Sequence, residues 1–339
     1  MSSLTGHDVG DILGRMRRPA ASQWAGNLQG AAAPPSFGGA GPGEPQKMPR
    51  VFWTGKLTPP IRLILNTSNL FAWATGAMRD TEAMKERVRQ GYDGVFSDHV
   101  HHYDEVGTEF QLRSAAEQLK DVDVLGKSVL DIGGGTGIAS FLMLRRGAAK
   151  VVCGDIAEQM LVRARANAEH EGYGPDRIDF RRLDAEALPY DDDSFDVVST
   201  SMTMGLLPDQ AKAVTEMARV ARPEGLVTIG THAPEHYWEP IDESLRAMRK
   251  RYVFGYRLEF WPQTESELRG LMARAGLVDI VSRRVTWRND FGSGGKAFDF
   301  FAAISASWWY GRFPPREGEG RGRACPRPFR AEERPHRNG

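Results

Sequence analysis

Residues 129–140 read VLDIGGGTGIAS, and this stretch decides the fold. Val129 and Leu130 form an apolar run that reaches an acid, Asp131. Glycines follow at Gly133, Gly134, Gly135 and Gly137, and apolar residues then recur at helical spacing at Ile138, Phe141, Leu142 and Leu144. The pattern predicts a strand, a glycine turn and a helix. Glycines remove every Cβ from a turn where the backbone approaches a ligand or adopts positive φ. The helix behind the turn aims free N–H groups and the positive end of its dipole at whatever lies above. A glycine turn can also merely connect two packed elements, so its neighbours carry the decision.

Two neighbours do so. Asp131 lies at the strand end, two residues before the first glycine, where it can meet an ammonium group. Asp155 ends the next apolar run (151–154), about 20 residues on, where a doubly wound fold grips a ribose diol. A ligand with an amino-acid end and an adenosine end satisfies both acids, and S-adenosylmethionine is such a ligand. The run from Asp131 to Gly137 resembles the first motif of class I S-adenosylmethionine-dependent methyltransferases. A nicotinamide-dependent oxidoreductase also uses glycines and a distal acid. It would, however, set a pyrophosphate beside Asp131, which repels it, and its third glycine would fall at Ser140. That reading ranks second, beside a non-catalytic cofactor-binding or scaffold protein.

Further along, a third strand near 178–182 leads into LDAEALP (183–189), and YDDDSFD (190–196) introduces a fourth strand, 197–200. This is similar to the D-A-x-x-L-P-(F/Y)-x-D-x-S-F-D signature of the type 11 methyltransferases, the ubiquinone/menaquinone C-methyltransferase-like group. The resemblance covers roughly residues 95–285. It implies a Rossmann-like, doubly wound α/β sheet of seven mostly parallel strands, with an N-terminal helical layer. It also implies that Asp131 and the four glycines hold the methionine end and Asp155 the ribose. A side-chain acceptor at the end of the third strand can take the adenine amino proton while a backbone N–H meets a ring nitrogen; Asp184 and Ala185 fit these roles. Ile156 and Met160 are candidates to flank the adenine, Met160 being equally suited to plain helix packing. Thr200, closing the fourth strand, is counted with the cofactor-facing residues. Asp209 is expected to cap a helix reaching Val220, residues 222–225 to turn into a fifth strand, and Thr264 to open a helix ending at Gly276. Relatives often carry histidines or an Arg-Asn pair where this chain has Gly205 and Leu206, which removes one basis for naming a substrate or base.

The expected organisation follows composition. Residues 1–47 are rich in Gly, Ala, Pro and Ser and are expected to be disordered, with Met48 as the functional start. Residues 48–96 form a helical cap, which the resemblance sets over the cofactor site; packing on the core through one face is the alternative. Residues 97–312 form the methyltransferase domain, with an aromatic and basic insertion at 235–262 read as a lid. Residues 297–310 are either a last antiparallel strand or a helix, and 313–339 are expected to be disordered. The histidines at 99, 101 and 102 lack a second ligand group at metal spacing, so no metal is expected. The adjoining Tyr103-Asp104 resembles the Tyr-Asp that borders the methionine end in many small-molecule methyltransferases.

Lys plus Arg equals Asp plus Glu, 44 each, so no overall field favours nucleic acid. Two cysteines form no disulfide framework, which points to a cytoplasmic setting. No run of 18 apolar residues occurs, leaving peripheral contact as the form of any membrane association. The expected reaction is in-line methyl transfer to a small-molecule acceptor, apolar or aromatic, of quinone, lipid or natural-product type. His232, after the fifth strand, is either a general base or a simply hydrogen-bonded histidine.

Overall fold

The computed structural model describes residues 6–19, 80–233 and 264–293, with isolated positions at 63, 67, 71, 74 and 75. The strands are β1 (Gly6–Arg17), β2 (Ser128–Ile132), β3 (Lys150–Asp155), β4 (Ile178–Arg182), β5 (Phe195–Ser201), β6 (Ala221–His232) and β7 (Val278–Asp290). The helices are α1 (Thr81–Gln118), α2 (Ile138–Arg145), α3 (Glu158–His170), α4 (Gln210–Val220) and α5 (Glu265–Arg274). All seven strands join one sheet in the order β4-β3-β2-β5-β6-β1-β7. Pairing is parallel from β4 through β6, whereas β1 runs antiparallel to both of its neighbours. The chain winds outward from β2 in one direction and from β5 in the other, so the order reverses between these two strands. In an open parallel sheet that is where ligands bind.

Helices cover both faces, which explains why the central strands read as unbroken apolar runs. On one face Leu130, Val198, Val227 and Ile229 pack with Met217 of α4 and Leu268 and Met272 of α5. On the other, Val129, Val151 and Val197 meet Phe141 and Leu144 of α2 and Leu161 of α3. Each such side chain, fully buried, contributes about 1.5–3 kcal/mol. Local signals then fix the helix ends. Asp209 caps α4 by accepting from Lys212 N at 3.0 Å, and Thr264 and Glu267 make a reciprocal capping box at α5. Gly147, at φ 90°, ends the turn after α2.

Two expectations are revised. Residues 6–17, expected to be disordered, form β1 in the interior of the sheet, between β6 and β7. Three glycines in twelve residues weaken the local strand signal, and the order comes from long-range partners instead. Leu13 and Met16 are buried, and Gly14 lies so close to α5 that a Cβ there would stand 2.3 Å from Met272 Cε. Arg18, also buried, is bound by the Asp193 carboxylate and the Ala221 carbonyl. A start at Met48 would omit this strand. The second revision concerns the boundary at residue 96, which α1 crosses without a break. Asp80 caps its start through Ala83 N, and near its end Gln118 Nε2 donates to the Thr200 carbonyl at 3.0 Å. The expected lid at 235–262, the segment 297–310 and the tail 313–339 lie outside the described residues. So do the side chains of the histidine cluster and of Tyr103-Asp104.

Candidate active site

The carboxyl ends of β2 to β5 open into one cavity of about 1060 Å³, its open mouth included. Three acids stand at the ends of three adjacent strands: Asp131 on β2, Asp155 on β3 and Asp184 just after β4. Asp131 is fully buried. Its Oδ2 accepts from Ser140 Oγ at 2.6 Å, while Oδ1 has no hydrogen-bond partner. Burial pushes this carboxyl up to about 7; the Ser140 bond opposes the shift and the nearby Asp155 charge adds to it. A buried acceptor left without a donor is costly unless a ligand supplies one.

Asp155 is held by the turn itself. Gly135 N donates to its Oδ2 at 3.0 Å and Ala157 N to its Oδ1 at 2.9 Å. Burial raises it to about 6 against the pull of these amides. The glycines of the turn divide their work. A Cβ at Gly133 would sit 2.1 Å from Thr203 Oγ1, so the absence of a side chain there lets the loop after β5 approach closely. Gly135, at φ 56°, lines the cavity and has nothing within 4 Å of its missing Cβ, which leaves open space above the turn. Between the acids, Ile156, Met160 and Leu183 line an apolar stretch.

At the far end Asp184 Oδ1 accepts from Glu186 N at 2.9 Å, and Ala185 N–H has no acceptor among the described residues. The lining on β5 comes from Ser201, Met202 and Thr203, followed by Leu206, Leu207 and Pro208. Helix α1 walls the cavity with Lys85, Val88, Tyr92, Gln111 and Ala115. The cap expected from the sequence therefore borders the cavity, but through a helix that begins late in the expected cap and continues well beyond it.

The cavity brings together Asp131, Gly133, Gly134, Gly135, Asp155, Ile156, Met160, Asp184 and Ala185. Gly137 lies just behind it as the N-cap of α2. Thr200 and His232 lie outside its lining. Thr200 is buried, its carbonyl taken by Gln118, and the cavity-facing positions begin one residue later at Ser201. His232 ends β6, opposite Asp11 of β1. Sequence reasoning missed Lys85, Tyr92 and Gln111. A usable signal was present, since Lys85, Val88 and Tyr92 share one helical face by spacing, and a lysine on such a face calls for an anionic partner.

A doubly wound sheet with an acid before its glycine turn and another at the end of the next strand, both facing one cavity at the carboxyl edge, is a Rossmann-like arrangement. Residues 130–229 match the family model described as a methyltransferase domain, in line with the resemblance of the glycine turn and of residues 183–196 to class I S-adenosylmethionine-dependent methyltransferases. The chain is 43% identical over 106 residues to a ubiquinone/menaquinone biosynthesis C-methyltransferase of Hahella chejuensis, covering 31% of this chain and 42% of that protein. It is 29% identical over 178 residues to a demethylmenaquinone methyltransferase of Clavibacter sepedonicus, covering 48% and 70%. To a malonyl-acyl-carrier-protein O-methyltransferase of Halorhodospira halophila it is 36% identical over 186 residues, covering 50% and 58%. The chain thus spans between 42% and 70% of the length of these relatives. Among the described residues no helix is long and apolar enough to cross a membrane.

Proposed function

We propose that this protein transfers the methyl group of S-adenosylmethionine to a small apolar or aromatic acceptor. One observation carries this reading: Asp131, Asp155 and Asp184 follow one another across β2, β3 and β4 in the order of the cofactor's ammonium, ribose and adenine. Two strand spacings, about 10 Å, separate the outer pair. The orphaned Asp131 Oδ1 accepts from the ammonium. Asp155 keeps lone pairs for the ribose hydroxyls beyond those used by Gly135 and Ala157. Asp184 accepts from the adenine amino group, and the open Ala185 N–H donates to a ring nitrogen. The bound cofactor supplies an electrophilic methyl group on a sulfonium.

The acceptor then lies toward the loop after β5, where Met202, Leu206, Leu207 and Pro208 dominate the lining. Such walls exclude water and favour an apolar body, in keeping with the quinone-modifying names of two relatives. Among the described residues the ionisable side chains of the lining are Lys85, Tyr92, Asp131, Asp155 and Asp184, none of them on that loop. Alignment of nucleophile and methyl group accelerates the transfer, and the acceptor brings its own acidic or electron-rich atom. No proton transfer is assigned to His232, which lies outside the lining. Incubation with methyl-labelled cofactor and a panel of hydroquinones, phenols, fatty acids and polar amines tests this. Label is expected on the apolar aromatic acceptors, with S-adenosylhomocysteine formed in step; label on polar amines alone would overturn the acceptor class, and no transfer the activity.

The Asp131 carboxyl adds a pH dependence with a definite sign. In the free folded protein it titrates near 7, above its ordinary 3.8. Between those values the folded state holds more protons than the unfolded chain, so this group's contribution to stability falls as pH rises toward 7 and is level above it. Cofactor binding has the opposite trend, because the ammonium requires the ionised acid. Affinity for S-adenosylhomocysteine is expected to rise about tenfold from pH 6 to pH 8, with a proton released on binding at pH 6. Asp155, raised to about 6, adds in the same direction. Calorimetry in buffers of different ionisation enthalpy reads the proton, and Asp131→Asn should flatten most of the dependence.

A further inference from the structure

Lys85 reaches from the first turns of α1 into a nest of carboxylates beside the end of β4. Its Nζ stands 2.7 Å from Asp184 Oδ2, 2.8 Å from Glu186 Oε2 and 3.2 Å from Glu82 Oε1. The Lys85 side chain is 9% exposed and that of Glu186 3%. An ammonium has three N–H donors, and all three are committed here. Lys85 therefore has no donor left for a ligand, and what a bound base meets at this end of the cavity is the Asp184 carboxylate.

The nest is rigid. Glu186 Oε1 is fastened by Asp209 N at 2.8 Å, so its other oxygen presents Lys85 as a fixed post. Asp184 is gripped on both oxygens, by Lys85 on Oδ2 and by Glu186 N on Oδ1. Burial alone would lower the Lys85 ammonium, but the bonds to Asp184 and Glu186 hold it above its ordinary value. Burial raises Glu186, and Lys85 opposes that shift. Without the cation, two neighbouring carboxylates would share the pocket, and such pairs take up a proton. A protonated acid donates where an ionised one only accepts.

We propose that Lys85 is a positioning residue that sets base preference: by pinning Asp184 as a pure acceptor, it admits a 6-amino purine and refuses a 6-oxo purine. A carboxylate accepts from the adenine amino group and repels the carbonyl of hypoxanthine. This rests on the cofactor reading above. The discriminating ligands are S-adenosylhomocysteine and S-inosylhomocysteine, which differ at that exocyclic position and in protonation of the adjacent ring nitrogen.

Calorimetric affinities for both ligands are measured on the wild-type protein, Lys85→Met and Lys85→Arg, with folding checked by urea unfolding. Wild-type protein is expected to prefer S-adenosylhomocysteine by about 100-fold or more. Lys85→Met should bring the two ligands within about tenfold of each other, chiefly by weakening S-adenosylhomocysteine, and Lys85→Arg should restore part of the gap. If Lys85→Met does not fold, the ratio is read on Lys85→Gln, which keeps a donor. A variant that weakens both ligands equally, leaving the ratio unchanged, overturns the proposal and reduces Lys85 to a fastening of α1. Wild-type protein that binds neither ligand overturns the cofactor reading itself, and with it the role of Lys85.

Discussion

Asp155→Ala is expected to raise the dissociation constant for S-adenosylhomocysteine by about 100-fold or more. Hydrogen bonds to charged groups contribute about 1.5–3 kcal/mol each, and a ribose diol offers two. The same carboxylate also accepts from Gly135 N and Ala157 N, so it holds the glycine turn against the start of α3. Removing it frees both amides and loosens the cradle whose shape the ligand needs. Asp155→Asn separates the two contributions, because its amide oxygen can still accept from one backbone N–H while the charge is gone. Calorimetry on both variants should place Asp155→Asn between wild type and Asp155→Ala. An unchanged affinity in Asp155→Ala would mean that the cofactor's ribose lies elsewhere.

Removal of residues 1–19 is expected to lower the free energy of unfolding by more than about 4 kcal/mol, since emptying a buried Leu or Met position costs about 2–5 kcal/mol. Leu13 and Met16 are 4% and 1% exposed, so the deletion vacates two such positions at once. It also strips β6 and β7 of the partner that stands between them, leaving two rows of unpaired backbone groups along a sheet interior. Against a typical stability of about 5–15 kcal/mol, that loss is enough to leave the shortened chain aggregated or only partly folded. Met16→Ala, which leaves the strand pairing in place, should lose about 2–5 kcal/mol and remain folded. Urea unfolding of the two proteins reads both effects. An unaltered midpoint after the deletion would show that β1 contributes no stability to the sheet.

The glycine turn and the two strand-end acids were legible because each is a local pattern: an apolar run, an acid, then residues without Cβ. The same holds for the helix caps at Asp209 and Thr264, whose bonds close within three residues along the chain. The parallel sheet followed from these units, because a strand, a helix and a strand in sequence return only as a parallel pair.

Other features depended on residues far apart in sequence. The glycine-rich β1 has little strand preference of its own; it is ordered by β6, β7 and Met272, all more than 200 residues away. Lys85 reads as an ordinary charged helix position until Asp184, 99 residues later, is brought to 2.7 Å. Thr200 and Ser201 look alike as neighbours at a strand end, yet alternating strand geometry sends one into the core and gives the other to the cavity. By itself the sequence determined the glycine turn and the acids at the ends of β2 and β3, because an apolar run, an acid and residues without Cβ form a pattern within a short stretch of chain. The tertiary structure alone decided which cation pins the acid after β4 and which segment completes the sheet, because both depend on partners that only the folded chain brings within bonding distance.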